Sequence, residues 1–220
     1  MITLYGGPTT NVRKVAIALE ELGIDYTPRP VSLDRKEQFE DWFLGLAPNN
    51  KIPVIKDDET GIKVWESGAI LTYLGEQYDP QGTILPSSGQ ARYDALQGAF
   101  FQAAHIGPNL GRLNDQLTAT EADKIPQMIE VFYAEAVRLT TVVDRMLSDG
   151  RQFLAGDYSI ADIMHYPWLK AGLDMKFPAM LDKPRLPEWL GRIGERPAVK
   201  RGMLAFGEDQ GLNALPPPDS

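Results

Sequence analysis

Short groups of residues in this chain have the types and spacing to hold a small anionic peptide. One is Pro8-Thr9-Thr10-Asn11, a run of polar side chains where a strand gives way to a helix. The first turn of a helix leaves backbone N–H groups without intrahelical partners, and Thr or Asn there either caps them or turns its own donors outward. On the residues alone, both roles stand for Thr9, Thr10 and Asn11. A second group is Asn49-Asn50-Lys51-Ile52-Pro53-Val54-Ile55. The residue ahead of a proline is held extended, and a proline opening a strand beside turn-forming asparagines is a setting for a cis peptide. Such a bend leaves the Ile52 N–H and C=O at a sheet edge, open to pairing with an extended peptide. A third group, Glu66-Ser67-Gly68-Ala69, opens a helix with Ile70, Leu71, Tyr73, Leu74 and Tyr78 at helical spacing. A helix N-terminus with a serine in its first turn attracts anions. Glu66 beside Ser67 suits an α-amino acid end, the carboxylate meeting the ammonium while the serine and helix N–H groups meet the carboxylate. The same pair also simply favours a helix start.

These groups need strand ends and helix starts gathered at one edge, and the hydrophobic pattern supplies them. Residues 2–5 read as a strand closed by Gly6-Gly7-Pro8. A helix follows from about Asn11, with Val12, Val15, Ala16, Leu19 and Leu22 on one face and Gly23 as its stop. Residues 26–33 form a second strand, and 38–46 a short helix carrying Phe39, Trp42 and Phe43. Val54-Ile55 and residues 62–65 flank the turn Asp57-Asp58-Glu59-Thr60-Gly61 as a hairpin, ahead of a helix over 66–78. The order β-α-β-α-β-β-α predicts an α/β unit with a mixed four-stranded sheet. Breakers then crowd Asp79-Pro80-Gln81-Gly82 and Leu85-Pro86-Ser87-Ser88-Gly89. Beyond them only helical patterns occur, at about 91–110, 122–147, 160–171 and 187–196, with a last turn from Pro197. Ser159-Ile160-Ala161-Asp162 has capping-box spacing with Asp in place of Glu. The expected division is a first domain over 1–79, a linker over 80–89, an all-α domain over 90–206 and a flexible tail over 207–220, whose end is Pro-rich.

Bulk properties narrow the chemistry. A net charge of −8 in 220 residues argues against a nucleic-acid backbone as partner. The absence of cysteine excludes disulfides, thiolate metal sites and a protein-borne thiol nucleophile. With only two histidines, a histidine-based metal centre is not expected. No apolar run approaches the roughly 18 residues of a membrane span. The N-terminus lacks the basic-then-apolar order of a signal peptide, so the expected location is cytoplasmic.

The combination Asn49-Asn50-Lys51-Ile52-Pro53 with Glu66-Ser67-Gly68-Ala69-Ile70 resembles the glutathione-binding segment of the glutathione transferase family. The Ser159 to Asp162 box is similar to the helix start of that family's helical domain, so the likeness spans nearly the whole chain. The resemblance implies a thioredoxin-like first domain and glutathione as co-substrate. It also implies that Ile52 and Pro53 pair with the cysteinyl backbone, while Glu66 and Ser67 hold the γ-glutamyl end. Thr9-Thr10-Asn11 after Tyr5 and Pro8 resembles the bacterial nu-like, disulfide-bond-reductase-like class. In that class the matching Thr and Asn attend the glutathione sulfur. A free thiol has a pKa near 8.5. Hydrogen bonds to a charged group contribute about 1.5–3 kcal/mol each, and one pKa unit is about 1.4 kcal/mol. Two neutral donors, Thr9 and Asn11, therefore lower a thiol by about two units without a general base.

The same likeness gives Lys51 the glycyl carboxylate and Gln38 a contact with the tripeptide; Asn50 either touches ligand or only forms the turn. Tyr5, the competing catalyst in other classes, stands too far ahead of the helix and reads as a packed strand residue. His105, among Ala103, Ala104 and Ile106, reads as a core histidine, and Arg192, Arg196, Lys200 and Arg201 as a solvated face. The chain departs from the nu-like pattern at Ile129-Glu130, where Val131 stands in place of an arginine that reaches glutathione across the dimer. That contact is absent here or comes from elsewhere. The expected function is a homodimeric glutathione transferase whose thiolate attacks electrophiles, peroxides or small disulfides. The alternative is a non-catalytic, transferase-like regulatory protein that binds glutathione or hydrophobic ligands.

Overall fold

The computed structural model describes residues 1–207. Most of the tail expected over 207–220 therefore lies outside the described residues. The first part of the chain runs β1 (Ile2–Gly6), α1 (Thr10–Glu21), β2 (Tyr26–Pro30), a 3-10 turn (Glu37–Phe39) and α2 (Asp41–Leu44). It continues through β3 (Val54–Asp57), β4 (Lys63–Trp65) and α3 (Ser67–Tyr78). The sheet order is β2-β1-β3-β4, with β1 parallel to β2 and β3 antiparallel to both neighbours. This is the mixed four-stranded sheet of a thioredoxin-like unit. Strand β2 stops at Pro30, short of the expected Leu33, because Leu33 already opens a turn in which Lys36 N–H donates to Leu33 O at 3.0 Å. It is an edge strand, where prolines are tolerated.

Alternation along β1 distributes its side chains between the two faces. Ile2 and Leu4, with Ile55 opposite Leu4, pack with Val15, Ile17 and Leu19 of α1 and Ile70 and Leu74 of α3 in the main core. Tyr5, with Val54 opposite it, faces the other way into a smaller cluster with Val31, Phe43 and Ala47. Tyr5 is thus the packed strand residue that its position suggests. Full burial of each large aliphatic side chain contributes about 1.5–3 kcal/mol, so this alternation fixes the register of β1 and with it the place where α1 begins.

The second part is helical: α4 (Gly89–Phe101), a π-turn (Gln102–Ile106), α5 (Gly107–Thr118), α6 (Pro126–Met146), α7 (Ile160–Asp174), α8 (Pro178–Leu181), α9 (Arg185–Gly194) and α10 (Pro197–Met203). The helix expected to end at Leu110 runs on through the π-turn to Thr118. Helix α7 opens on the anticipated capping box: Ser159 Oγ accepts from Ala161 N–H at 3.2 Å and Asp162 Oδ2 from Ser159 N–H at 3.1 Å. Asp162 also accepts from Trp189 Nε1 at 2.9 Å, and burial still raises its carboxyl to about 6. No helix among the described residues is long and apolar enough to cross a membrane.

The two parts share one core. Helix α1 lies between α3 on its own side and α7 and α10 of the helical part. Gly202 lets α10 approach closely, since a Cβ there would lie 2.6 Å from the Ile17 backbone. The basic cluster read as a solvated face is partly structural. Arg196 clamps Glu21 with two bonds of 2.6 and 2.8 Å and lies 3.8 Å over the Tyr158 ring, while Arg201 reaches Glu20 at 2.6 Å. Planar guanidinium forks suit such carboxylate pairing and stacking, so these arginines pin the C-terminal end of α1 to α10.

Candidate functional site

The mouth of α1 is built by a tight turn and a cap. Thr9 N–H donates to Gly7 O at 2.7 Å, and Thr9 sits in extended geometry (φ −111°, ψ 152°) as the N-cap. Its Oγ1 accepts from Val12 N–H at 3.4 Å. A hydroxyl that accepts in this way keeps its own O–H to donate elsewhere. The cap and donor roles are therefore compatible in one side chain. Asn11, half-buried in the first turn, has its Oδ1 held by Trp168 Nε1 at 3.0 Å. Trp168 belongs to α7, so a helix of the second part touches the first turn of α1. Thr10 is buried.

A cleft of about 610 Å³ opens beside this mouth, lined by Gly7, Pro8 and Thr9, by the loop from Val31 to Glu37, by Ile52 and by Phe206. The Ile52-Pro53 peptide is cis, as the sequence suggested, and Pro53 is buried where β3 begins. The turn before it holds Asn50 at φ 46°, with Asn50 N–H donating to Ala47 O at 3.0 Å. Asparagine tolerates this left-handed geometry better than most residues, so turn formation alone accounts for it. Lys51 is exposed at the rim of the turn.

Glu66 and Ser67 line a neighbouring cleft of about 570 Å³ whose other wall is Leu96, Ala99, Phe100 and Ala103 of the helical part. Glu66 has φ 71°, unusual for a residue with a Cβ, and its carboxylate accepts from Asn49 Nδ2 at 3.3 Å. Backbone strain of this kind costs about 1–3 kcal/mol and clusters at binding sites. Ser67, the first residue of α3, is buried. The hairpin that carries this segment is tied to α3 through Asp57, which accepts from the Tyr73 and Tyr78 hydroxyls and from Glu59 N–H. Burial raises the Asp57 carboxyl, but those bonds outweigh it and hold the group at about 2.

Behind the α1 mouth lies a buried amine. Lys14 Nζ donates to Gln102 Oε1 of the π-turn at 2.6 Å. Burial lowers Lys14 to about 7, with the Glu66 charge opposing the shift. His165 on α7 is also buried, its Nδ1 2.8 Å from Ala161 O, and burial lowers it to about 4. His105, the residue read as core, is exposed instead, on the π-turn, its ring 5.6 Å from that of Phe101 and tilted 39° to it. Asn109 donates to Phe132 O at 2.9 Å and is a tie between α5 and α6.

Of the sequence-predicted residues, Thr9 and Ile52 line one cleft and Glu66 and Ser67 the other. Asn11 stands in the first turn of α1, and Asn50, Lys51 and Pro53 belong to the turn that carries Ile52. Gln38 lines neither cleft; it is half-buried on the 3-10 turn, its Oε1 buried without a partner among the described residues. Sequence reasoning missed three supports: Trp168, Asn49 as the partner of Glu66, and Lys14. The Asn49-Asn50 pair was visible, but nothing in the spacing linked residue 11 to 168. Val131, in place of the arginine of the nu-like pattern, is 62% exposed on α6.

The family model for the glutathione S-transferase N-terminal domain matches residues 1–76. The chain is 35% identical to the disulfide-bond oxidoreductase YfcG of Escherichia coli over 209 residues, covering 93% of this chain and 95% of that one. A glutathione transferase family member from Pseudomonas fluorescens, solved with two glutathione bound, superposes with a TM-score of 0.85 at 35% identity over 92% of both chains. A glutathione transferase from Pseudomonas putida, solved with one glutathione disulfide bound per subunit, gives 0.84 at 36% identity, covering 92% of this chain and 90% of that one.

Proposed function

The chain belongs to the glutathione transferase family, and from that premise we propose that it binds glutathione and ionises its thiol for attack on small disulfides, peroxides or electrophilic carbon. The sulfur rests at the mouth of α1. Thr9 donates its O–H there and Asn11 its amide N–H. Ile52, beside the cis Pro53, pairs with the cysteinyl backbone. Glu66 meets the ammonium of the γ-glutamyl end, and Ser67 with the α3 N-terminus meets its carboxylate. Lys51 neutralises the glycyl carboxylate and Asn50 shapes the turn beside it, while a contact of Gln38 with the tripeptide rests on the family likeness alone, since Gln38 lines neither cleft.

The observation that carries this reading is the hydrogen-bond state of Thr9. Its oxygen already accepts from Val12 N–H, so its proton is the part left to offer. An anionic sulfur is the acceptor that such a donor stabilises most. With a disulfide, the thiolate forms one S–S bond as another breaks, and the leaving thiolate takes a proton from solvent. With an electrophilic carbon, a C–S bond forms and the leaving group departs with its electron pair. We assign residues 1–79 as the glutathione domain and 90–206 as the helical domain, in a cytoplasmic homodimer.

Steady-state turnover with a small disulfide, a hydroperoxide and an aryl halide tests the proposal, alongside calorimetry with glutathione. Turnover of at least one substrate is expected. Binding without turnover of any would support the non-catalytic alternative, and no binding would reject the site.

A further inference from the structure

An asparagine side chain can face a ligand with either end, and only one end helps an anion. The Nδ2 amide group donates; Oδ1 only accepts and would repel a thiolate. Whether Asn11 stabilises or opposes sulfur ionisation therefore depends on what fixes its amide. The indole of Trp168 does so. Its Nε1–H is a donor with no acceptor function, and it lies 3.0 Å from Asn11 Oδ1. With Oδ1 engaged, Nδ2 is the end of the amide left to donate.

The indole itself is seated for this task. Trp168 is only 8% exposed, on the helix that starts with the Ser159–Asp162 capping box. Its ring lies along α5 where Gly107 and Gly111 leave the helix surface bare. A Cβ at 107 would lie 3.8 Å from Trp168 Cε2, and one at 111 would lie 3.5 Å from Cη2. Residues four apart share a helix face, so the two glycines make a flat seat for one bicyclic ring. The π-turn ends at Ile106, directly before that seat.

We propose that Trp168 is a positioning residue that holds the Asn11 amide with its N–H toward the glutathione sulfur, so that the helical part of the chain sets the thiol's reactivity. This rests on the reading of Asn11 given above. It assigns Trp168 no contact with the reacting atoms.

The test uses full-length protein. Trp168→Phe keeps a flat ring in the seat and loses the donor. In that variant the thiol of bound glutathione, titrated by thiolate absorbance, is expected to rise by about one pKa unit, the worth of one weakened bond to a charged group. The rate with an aryl halide then falls about tenfold below the wild-type pKa, and the deficit closes at high pH. Affinity for S-methylglutathione, which has no thiol to ionise, stays at the wild-type value. Trp168→Phe adds nothing in an Asn11→Ala background. Should Trp168→Phe fail to fold, a benzothienylalanine at 168, which keeps the bicyclic shape without the N–H, gives the same readout. An unchanged titration in the variant that folds, or an equal shift in the Asn11→Ala background, overturns the inference. If Asn11→Ala itself leaves the thiol pKa unmoved, the underlying assignment of Asn11 fails instead.

Discussion

Replacing Thr9 with valine separates the two roles that one hydroxyl combines. Thr9 sits at φ −111° and ψ 152°, where a β-branched side chain of the same shape is at ease, so the backbone should stay put. The cap is lost: the bond to Val12 N–H is long, at 3.4 Å, which places its worth at the low end of the capping range, about 0.5–1 kcal/mol. The donor to sulfur is lost too, at about 1.5–3 kcal/mol for a bond to a charged group, or roughly one to two pKa units. If two donors hold the bound thiol near 6.5, about three quarters is thiolate at pH 7. Thr9→Val would then leave between about a quarter and a few per cent. The rate with an aryl halide should fall about 3- to 25-fold at pH 7 and come close to the wild-type rate at pH 9, where the thiol ionises without help. Cap damage alone would lower the rate equally at both values, and Thr9→Ser should restore both roles. Thiolate absorbance of the bound tripeptide against pH reads the effect directly. A wild-type midpoint in Thr9→Val, with glutathione still bound, would refute the reasoning.

Ser67→Ala should weaken glutathione roughly 10- to 150-fold by calorimetry, the loss of one bond to a carboxylate, while leaving the bound thiol's pKa alone; full affinity would place the γ-glutamyl end elsewhere. Asp57 is held at about 2 when folded, below its ordinary 3.8, so the unfolded chain binds the extra proton between those values. The stability it contributes is whole above pH 4 and is lost as pH falls toward 2; Tyr73→Phe with Tyr78→Phe should flatten that acid limb in thermal melts, and an unaltered limb would deny the link. Lys14, lowered from 10.5 to about 7 by burial, leaves the unfolded chain holding more protons across that window, so stability should climb with pH through it, by ~5 kcal/mol at most. Lys14→Met removes the buried ammonium but strands Gln102 Oε1 at about 1–3 kcal/mol. It should stabilise the fold at pH 7 and lose that advantage near pH 10 in urea titrations; equal effects at both would show that Lys14 keeps its charge.

What the sequence made legible follows the range of the interactions involved. The cis Ile52-Pro53 turn and the Ser159–Asp162 box are decided by residues within four positions of each other, and local chemistry was enough to find them; it left the cap of α1 open among Thr9, Thr10 and Asn11, and the structure gives it to Thr9. The strand over residues 2–5 was legible as well, but which of its side chains faces which core came from the structure. The π-turn was invisible, because an extra residue in a helix leaves composition unchanged while rotating everything after it. His105, inside that turn, is exposed, although its apolar neighbours had suggested a core position. Arg196 and Arg201 looked solvated for a related reason: their partners Glu21 and Glu20 lie 175 and 181 positions away.

The long-range pairs also bear on why the chemistry needs both parts of the chain. Thr9 is set by its own helix, but Asn11 takes its orientation from Trp168 on α7, and the far end of α1 is clamped to α10 by Arg196. Glu66 depends on Asn49, and the wall facing Ser67 comes from α4. A thioredoxin-like unit with its own cysteine could keep its reactive group within one helix turn. This chain has none, so the sulfur must be positioned from outside, and each donor that meets it has to be aimed by something rigid. Helices packed on a shared core provide that rigidity, whereas loops alone would let the amide of Asn11 rotate and cancel its own effect.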